Sequence, residues 1–162
     1  MTPRLTRREF EASKGAKNRA AMRRRVLRGP PPGVLGFVGD APVAWCQIAP
    51  RAEFALLAGS RVLAPVDGAP VWSITCVLVK KELRGRGLTV PLLEGAVAFA
   101  KRRGARIVEA YPIEPVKRPM PAVFAWTGIL SSYLRAGFTE VARRSSTRPI
   151  VRRLLAKSAG GS

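Results

Sequence analysis

The stretch from Val77 to Ala100 constrains this chain more than any other. It opens in a short apolar run with β-branched residues, Ile74 to Val79, which reads as a buried strand. It continues as Leu88, Leu92, Leu93, Ala96, Val97 and Ala100 at helical spacing. Arg84-Gly85-Arg86-Gly87 stands between the two. A strand that stops at a glycine-rich turn and resumes as a helix leaves backbone N–H groups unpaired at the helix N-terminus. Those donors, together with the positive end of the helix dipole, suit a phosphate. Gly85 and Gly87 allow positive φ and keep side chains away from such a ligand. Arg84 and Arg86 add fixed positive charge. Pro91 has no N–H, so the cradle is expected from the amides of roughly residues 85 to 90.

Strand, Arg-Gly-x-Gly turn and amphipathic helix together resemble the acyl-CoA-binding motif of the GCN5-related N-acetyltransferases. In that family the motif reads Arg/Gln-x-x-Gly-x-Gly/Ala, matched here by Arg84 and Gly87, with Thr89 in the final small position. A second signature resembles the family's closing motif. Tyr133 stands four residues before Gly137-Phe138, about fifty residues beyond the turn and in the family's order. Two features depart from the pattern. Trp126 occupies the place of an Asn often found seven residues before the Tyr, and no clear first strand precedes the basic N-terminal helix.

The resemblance, which covers about residues 34 to 155, implies an α/β (α+β) fold. Its sheet would be mixed, twisted and mostly antiparallel, with a parallel central strand pair and flanking helices. It implies an N-acetyltransferase that moves an acetyl group from acetyl-CoA to a primary amine by direct attack in a ternary complex. The diphosphate would sit on Arg84, Gly85, Arg86, Gly87, Leu88 and Thr89, and the pantetheine arm along Val77, Leu78 and Val79. Tyr133 would protonate the leaving thiolate, since a phenol of pKa about 10 keeps its proton at neutral pH. The central strand carries no carboxylate to act as base. Glu114, just past the parallel strand, and Glu53, in the segment before the central strand, are the candidates, and a water relay is the alternative.

Composition bounds the rest. At 162 residues and 47% apolar, the chain is expected to form one domain over residues 1–157, with a disordered tail at 158–162. No apolar run approaches the roughly 18 residues of a membrane span and no signal-peptide core opens the chain, so a cytoplasmic protein with no membrane partner is expected. There is no histidine, which removes the commonest general base and metal ligand, and no metal site is expected. Cys46 and Cys76 sit in strand-like runs and read as buried, reduced thiols. The formal net charge of +19 draws polyanions and repels polycationic acceptors such as aminoglycosides. Nucleic-acid or ribosome binding on the same scaffold is therefore the alternative function; Arg far outnumbers Lys, so composition alone also accounts for the charge. A homodimer stays open.

Along the chain, residues 1–33 form a basic arm. It should contain a helix from about Lys17 to Leu27, docked through Met22, Val26 and Leu27 and stopped by Gly29-Pro30. Residues 34–38 and 41–48 read as a hairpin across Gly39-Asp40. The irregular segment 51–71 is the candidate acceptor-facing loop. Residues 106–111 form the strand parallel to the central one, reached by a right-handed crossover. A proline-rich loop spans 112–121, Thr127 caps a helix over 128–136, and residues 138–142 and 149–155 close the sheet.

Overall fold

Alternating apolar side chains make strand β3 of Trp72–Val79, and the other elements are arranged about it. The computed structural model describes residues 4–115 and 126–156. β1 (Gly33–Val38) and β2 (Ala41–Pro50) form the expected hairpin, with Val38 opposite Ala41. β3 runs antiparallel to β2 and parallel to β4 (Ile107–Ala110). β6 (Pro149–Leu154) inserts antiparallel between β4 and β5 (Thr139–Arg143), giving the order β1-β2-β3-β4-β6-β5. This is the mixed, mostly antiparallel sheet with a parallel central pair.

Helices α4 (Thr89–Lys101) and α5 (Leu130–Arg135) cover one face. The apolar stripe of α4 buries Leu92, Leu93, Ala96, Val97 and Ala100 against Ile48, Ile74, Val77, Val108 and Val151. Leu93 is fully buried, so its truncation to Ala would cost about 2–5 kcal/mol. The other face is covered by segment 51–71, which includes the short helix α3 (Ala55–Ala58) and packs Phe54 and Leu57 on Ala49, Tyr111 and Ile150.

Two expectations are corrected and one helix is added. Helix α2 (Ala16–Arg28) forms as read, but Val26 and Leu27 are exposed rather than docked. Six of its thirteen residues are Lys or Arg, which leaves too little apolar surface to bury. Its tethers are polar: Arg25 on Glu53, and Asn18 Nδ2 donating to the Phe10 carbonyl at 3.3 Å. A further helix, α1 (Arg7–Ala12), precedes it, started by a capping box in which Thr6 and Glu9 satisfy each other's amides. Thr127 does not cap α5, which begins at Leu130 with Ile129 in the cap position. Gly128, at φ +80°, turns the chain away first, and the Thr127 hydroxyl instead accepts from Arg148 at 2.9 Å. Most of the proline-rich loop and the tail lie outside the described residues.

Candidate functional site

The turn between β3 and α4 follows directly from its glycines. Gly85 and Gly87 sit at φ +77° and +78°, where a side chain is strained. A Cβ at either would meet no protein atom within 4 Å, so the backbone, not crowding, calls for glycine. The amide of Arg84 still bonds to the Lys81 carbonyl, at 3.3 Å, and the amide of Val90 bonds to Gly87, at 3.2 Å. Between them, among the described residues, no carbonyl or side chain accepts from the amides of residues 85–89. The expected cradle is thus one residue shorter than read, because Val90 already belongs to the first helical turn. Five free donors lie at the N-terminus of a thirteen-residue helix, flanked by the exposed Arg84 and Arg86. Arg84 Nε donates to the Val79 carbonyl at 3.0 Å and ties the turn to the strand end.

The strand edge leading to this turn is opened by a bulge. Cys76 faces Gln47 and Ile74 faces Ile48, so Thr75 is an extra residue in β3. Pairing with β4 is confined to Trp72–Ile74, and beyond Thr75 the two strands part. Residues 126–129 enter the wedge: the Val77 amide donates to the Trp126 carbonyl at 2.8 Å, and that of Ile113 to Gly128 at 2.9 Å. A cavity of about 200 Å³ remains between Val77, Leu78, Val79, Arg84, Trp126 and Ile129. The strand residues and Arg84 named from the sequence therefore line one cavity, and Gly85 to Thr89 follow directly from it.

Tyr133 lies behind the same segment. It is fully buried, meets Phe138 edge-on at 5.3 Å, and donates its hydroxyl proton to the Thr127 carbonyl at 2.9 Å. The approach is close: a Cβ on Gly128 would fall 2.7 Å from the ring. Burial pushes the phenol pKa well above its ordinary value, so Tyr133 stays protonated at neutral pH. Glu114 follows Ile113, which bridges to Ile129 in the cavity wall, and its carboxylate accepts from Arg143 Nη1 at 2.5 Å. Glu53 is elsewhere. It accepts from Arg4 and Arg25 in a separate cavity beside Trp72, at the far end of β3, and the two cavities share no lining residue.

A buried cluster beneath segment 51–71 escaped the sequence reading. Glu109 is fully buried; its Oε1 accepts from Tyr111 at 2.6 Å and Arg51 at 3.1 Å, and its Oε2 from Arg152 at 2.8 Å. The Tyr111 hydroxyl also meets Ser73 Oγ at 2.8 Å, and Arg152 Nη1 reaches Asp67 at 2.6 Å. Arg51 Nη2 donates to the Leu63 carbonyl at 2.5 Å. Burial, and then the Glu109 charge, raise the Tyr111 pKa. The available signal was a lone Glu inside the apolar run Ile107-Val108-Glu109-Ala110, because a buried carboxylate demands cationic partners.

The amino-acid sequence matches the acetyltransferase (GNAT) family over residues 2–121. No curated protein matches the chain. Among solved structures, a protein described as a GNAT-family acetyltransferase from Desulfovibrio desulfuricans is 17% identical, with a TM-score of 0.54 over 92% of this chain and 90% of that one. The ribosomal-protein-alanine N-acetyltransferase of Brucella melitensis is 16% identical, with a TM-score of 0.54 over 86% and 78%. A chain of the NatC complex bound to Gag peptide and CoA is 14% identical, with a TM-score of 0.52 over 85% and 79%. At these identities the likeness is one of fold.

Proposed function

Because the chain belongs to the acetyltransferase (GNAT) family, we propose that it transfers an acetyl group from acetyl-CoA to a primary amine by direct attack in a ternary complex. The observation that carries this reading is the row of five unpartnered amides at residues 85–89, a cradle matched to a diphosphate. When bound there, acetyl-CoA supplies an activated thioester. Val77 to Val79 would guide the pantetheine arm along the strand edge, and backbone donors there can polarise a carbonyl. The Val77 amide is held by Trp126 in the resting chain, so that arm has to share or replace this bond.

Tyr133 is the proton donor for the leaving thiolate. Burial keeps it protonated at neutral pH, and its hydroxyl must exchange the Thr127 carbonyl for the sulfur. Of the two carboxylates, Glu114 is assigned the amine proton, directly or through water, because it adjoins the wedge. Glu53 is assigned to its two arginines. A second reading, polyanion binding by the arm, is favoured by α2, which exposes Lys17, Arg19, Arg23, Arg24 and Arg28.

Thermal unfolding with acetyl-CoA, paired with thiol release over a panel of amines, tests the reading. Saturating acetyl-CoA should stabilise the fold by about 2.7 kcal/mol at a hundred times its Kd. Tyr133→Phe should lose roughly ten- to a thousand-fold in turnover while keeping that stabilisation. If acetyl-CoA produces no shift while nucleic acid binds tightly at near-physiological salt, the second reading replaces the first.

A further inference from the structure

We propose that the cavity between the N-terminal arm and the start of β3 is a binding site for a small organic anion, a carboxylate or a phosphate carried on a flat apolar group. The cavity encloses about 300 Å³ and is lined by Arg4, Arg25, Arg103, Glu53, Trp72 and Pro30, among others. That is roughly the share of ten water molecules in the liquid, space for a small aromatic acid.

Its charges do not balance. Three guanidinium groups face one carboxylate, a formal excess of 3 − 1 = +2. Arg4 and Arg25 both donate to the same oxygen, Glu53 Oε2, so a single acceptor atom serves two cations. The Arg4 side chain is only 5% exposed, yet among the described residues its Nε and Nη2 have no acceptor, and neither has Arg25 Nε. Phe54, 4.7 Å from the Arg4 guanidinium carbon, offers a π face but no lone pair. Burial first, and the charge of Arg25 in addition, hold Arg4 below its ordinary pKa. A buried guanidinium fork left partly unpaired is costly, and a carboxylate or phosphate matches it with two acceptors at once.

The remaining wall is flat and apolar. Trp72, half-buried and edge-on to Phe99 at 6.2 Å, lines the cavity together with proline rings that have no N–H to satisfy. Arg103, exposed and with its guanidinium 3.7 Å from the Phe99 ring centre, supplies the third cation of the lining. The site is independent of the acetyl-CoA reading. Trp72 lies five residues before Val77, about 16 Å along a strand, and the two cavities have no residue in common.

The test titrates the full chain at fixed ionic strength with benzoate, phenyl phosphate and inorganic phosphate, followed by calorimetry. Benzoate or phenyl phosphate should bind in the millimolar range or tighter, and the better of the two identifies the anion. Inorganic phosphate should bind about tenfold more weakly, since it makes no contact with the apolar wall. Arg25→Gln should weaken the aryl anion about tenfold without altering the response to acetyl-CoA, and Arg103→Gln, at an exposed lining residue, should weaken it as well. The proposal fails if neither aryl anion binds at millimolar concentration. It fails equally if both variants bind as the parent does, which would place the anion on the general basic surface, or if inorganic phosphate binds as tightly as the aryl anions.

Discussion

The turn before α4 and the cluster around Glu109 both gather polar groups, and they do so in opposite ways. The turn is made of contiguous residues, lies in solvent, and holds out amides that nothing in the described chain accepts from. The cluster draws Arg51, Asp67, Ser73, Glu109, Tyr111 and Arg152 from across the chain and buries them in mutual contact. Glu109 alone accepts three hydrogen bonds. Empty donors leave capacity for a ligand. A satisfied buried network leaves none, and so acts as a clamp between segment 51–71 and the sheet.

The largest test of this contrast is Glu109→Gln. It keeps the shape and removes the charge, leaving Arg152 with Asp67 alone and Arg51, among the described residues, with no carboxylate, their side chains only 8% and 15% exposed. Removing one partner of such a pair costs about 3–5 kcal/mol, measured as a fall in denaturant midpoint at constant slope. A loss well under 1 kcal/mol would mean that the cluster does not clamp.

Alkali probes the same closed interior. The chain has two tyrosines, Tyr111 and Tyr133, both buried with their pKa values raised by burial. Because the folded values lie above the unfolded value of about 10, their contribution to stability is full below that pH and is lost as pH rises beyond it. Tyrosinate absorbance should therefore appear together with unfolding by circular dichroism. Ionisation near the ordinary pKa with the fold intact would contradict the burial of the hydroxyls.

On the open side, Gly87→Val places a β-branched residue at φ +78° with free space around it. The penalty is backbone strain of about 1–3 kcal/mol, relieved by moving the turn. Global stability should fall little while stabilisation by acetyl-CoA disappears; retention of that stabilisation would remove the turn from the cofactor site. Arg84→Gln should do least. It forfeits one exposed hydrogen bond to Val79, about 0.5–1.5 kcal/mol, and should weaken acetyl-CoA more at low salt than at high.

The contrast also explains what could be read in advance. The turn was legible because everything that makes it is local: a β-branched strand, two glycines, and apolar residues at helical spacing. Locality likewise accounts for the hairpin at Gly39-Asp40 and the parallel strand after α4. Local reasoning failed at Thr127, where the positive φ of Gly128 changes the path of the chain, and in α2, where apolar residues were too few to dock. The capping box at Thr6–Glu9 was also local but passed unnoticed among the arginines.

The sequence by itself determined the order of the elements, the alternation that buries Ile74 and Val77, and the place of the phosphate-sized cradle, because hydrophobic period and glycine conformation act within a few residues. Only the tertiary structure decided which charges are buried and with whom. It bulged β3 at Thr75 so that the strands part, brought Trp126 onto the Val77 amide, and set Glu53 with Arg4 and Arg25 rather than beside the wedge. The physical reason is that a buried polar group takes its partner from whatever the fold brings near, and Arg51, Glu109 and Arg152 are separated by more than forty residues at each step.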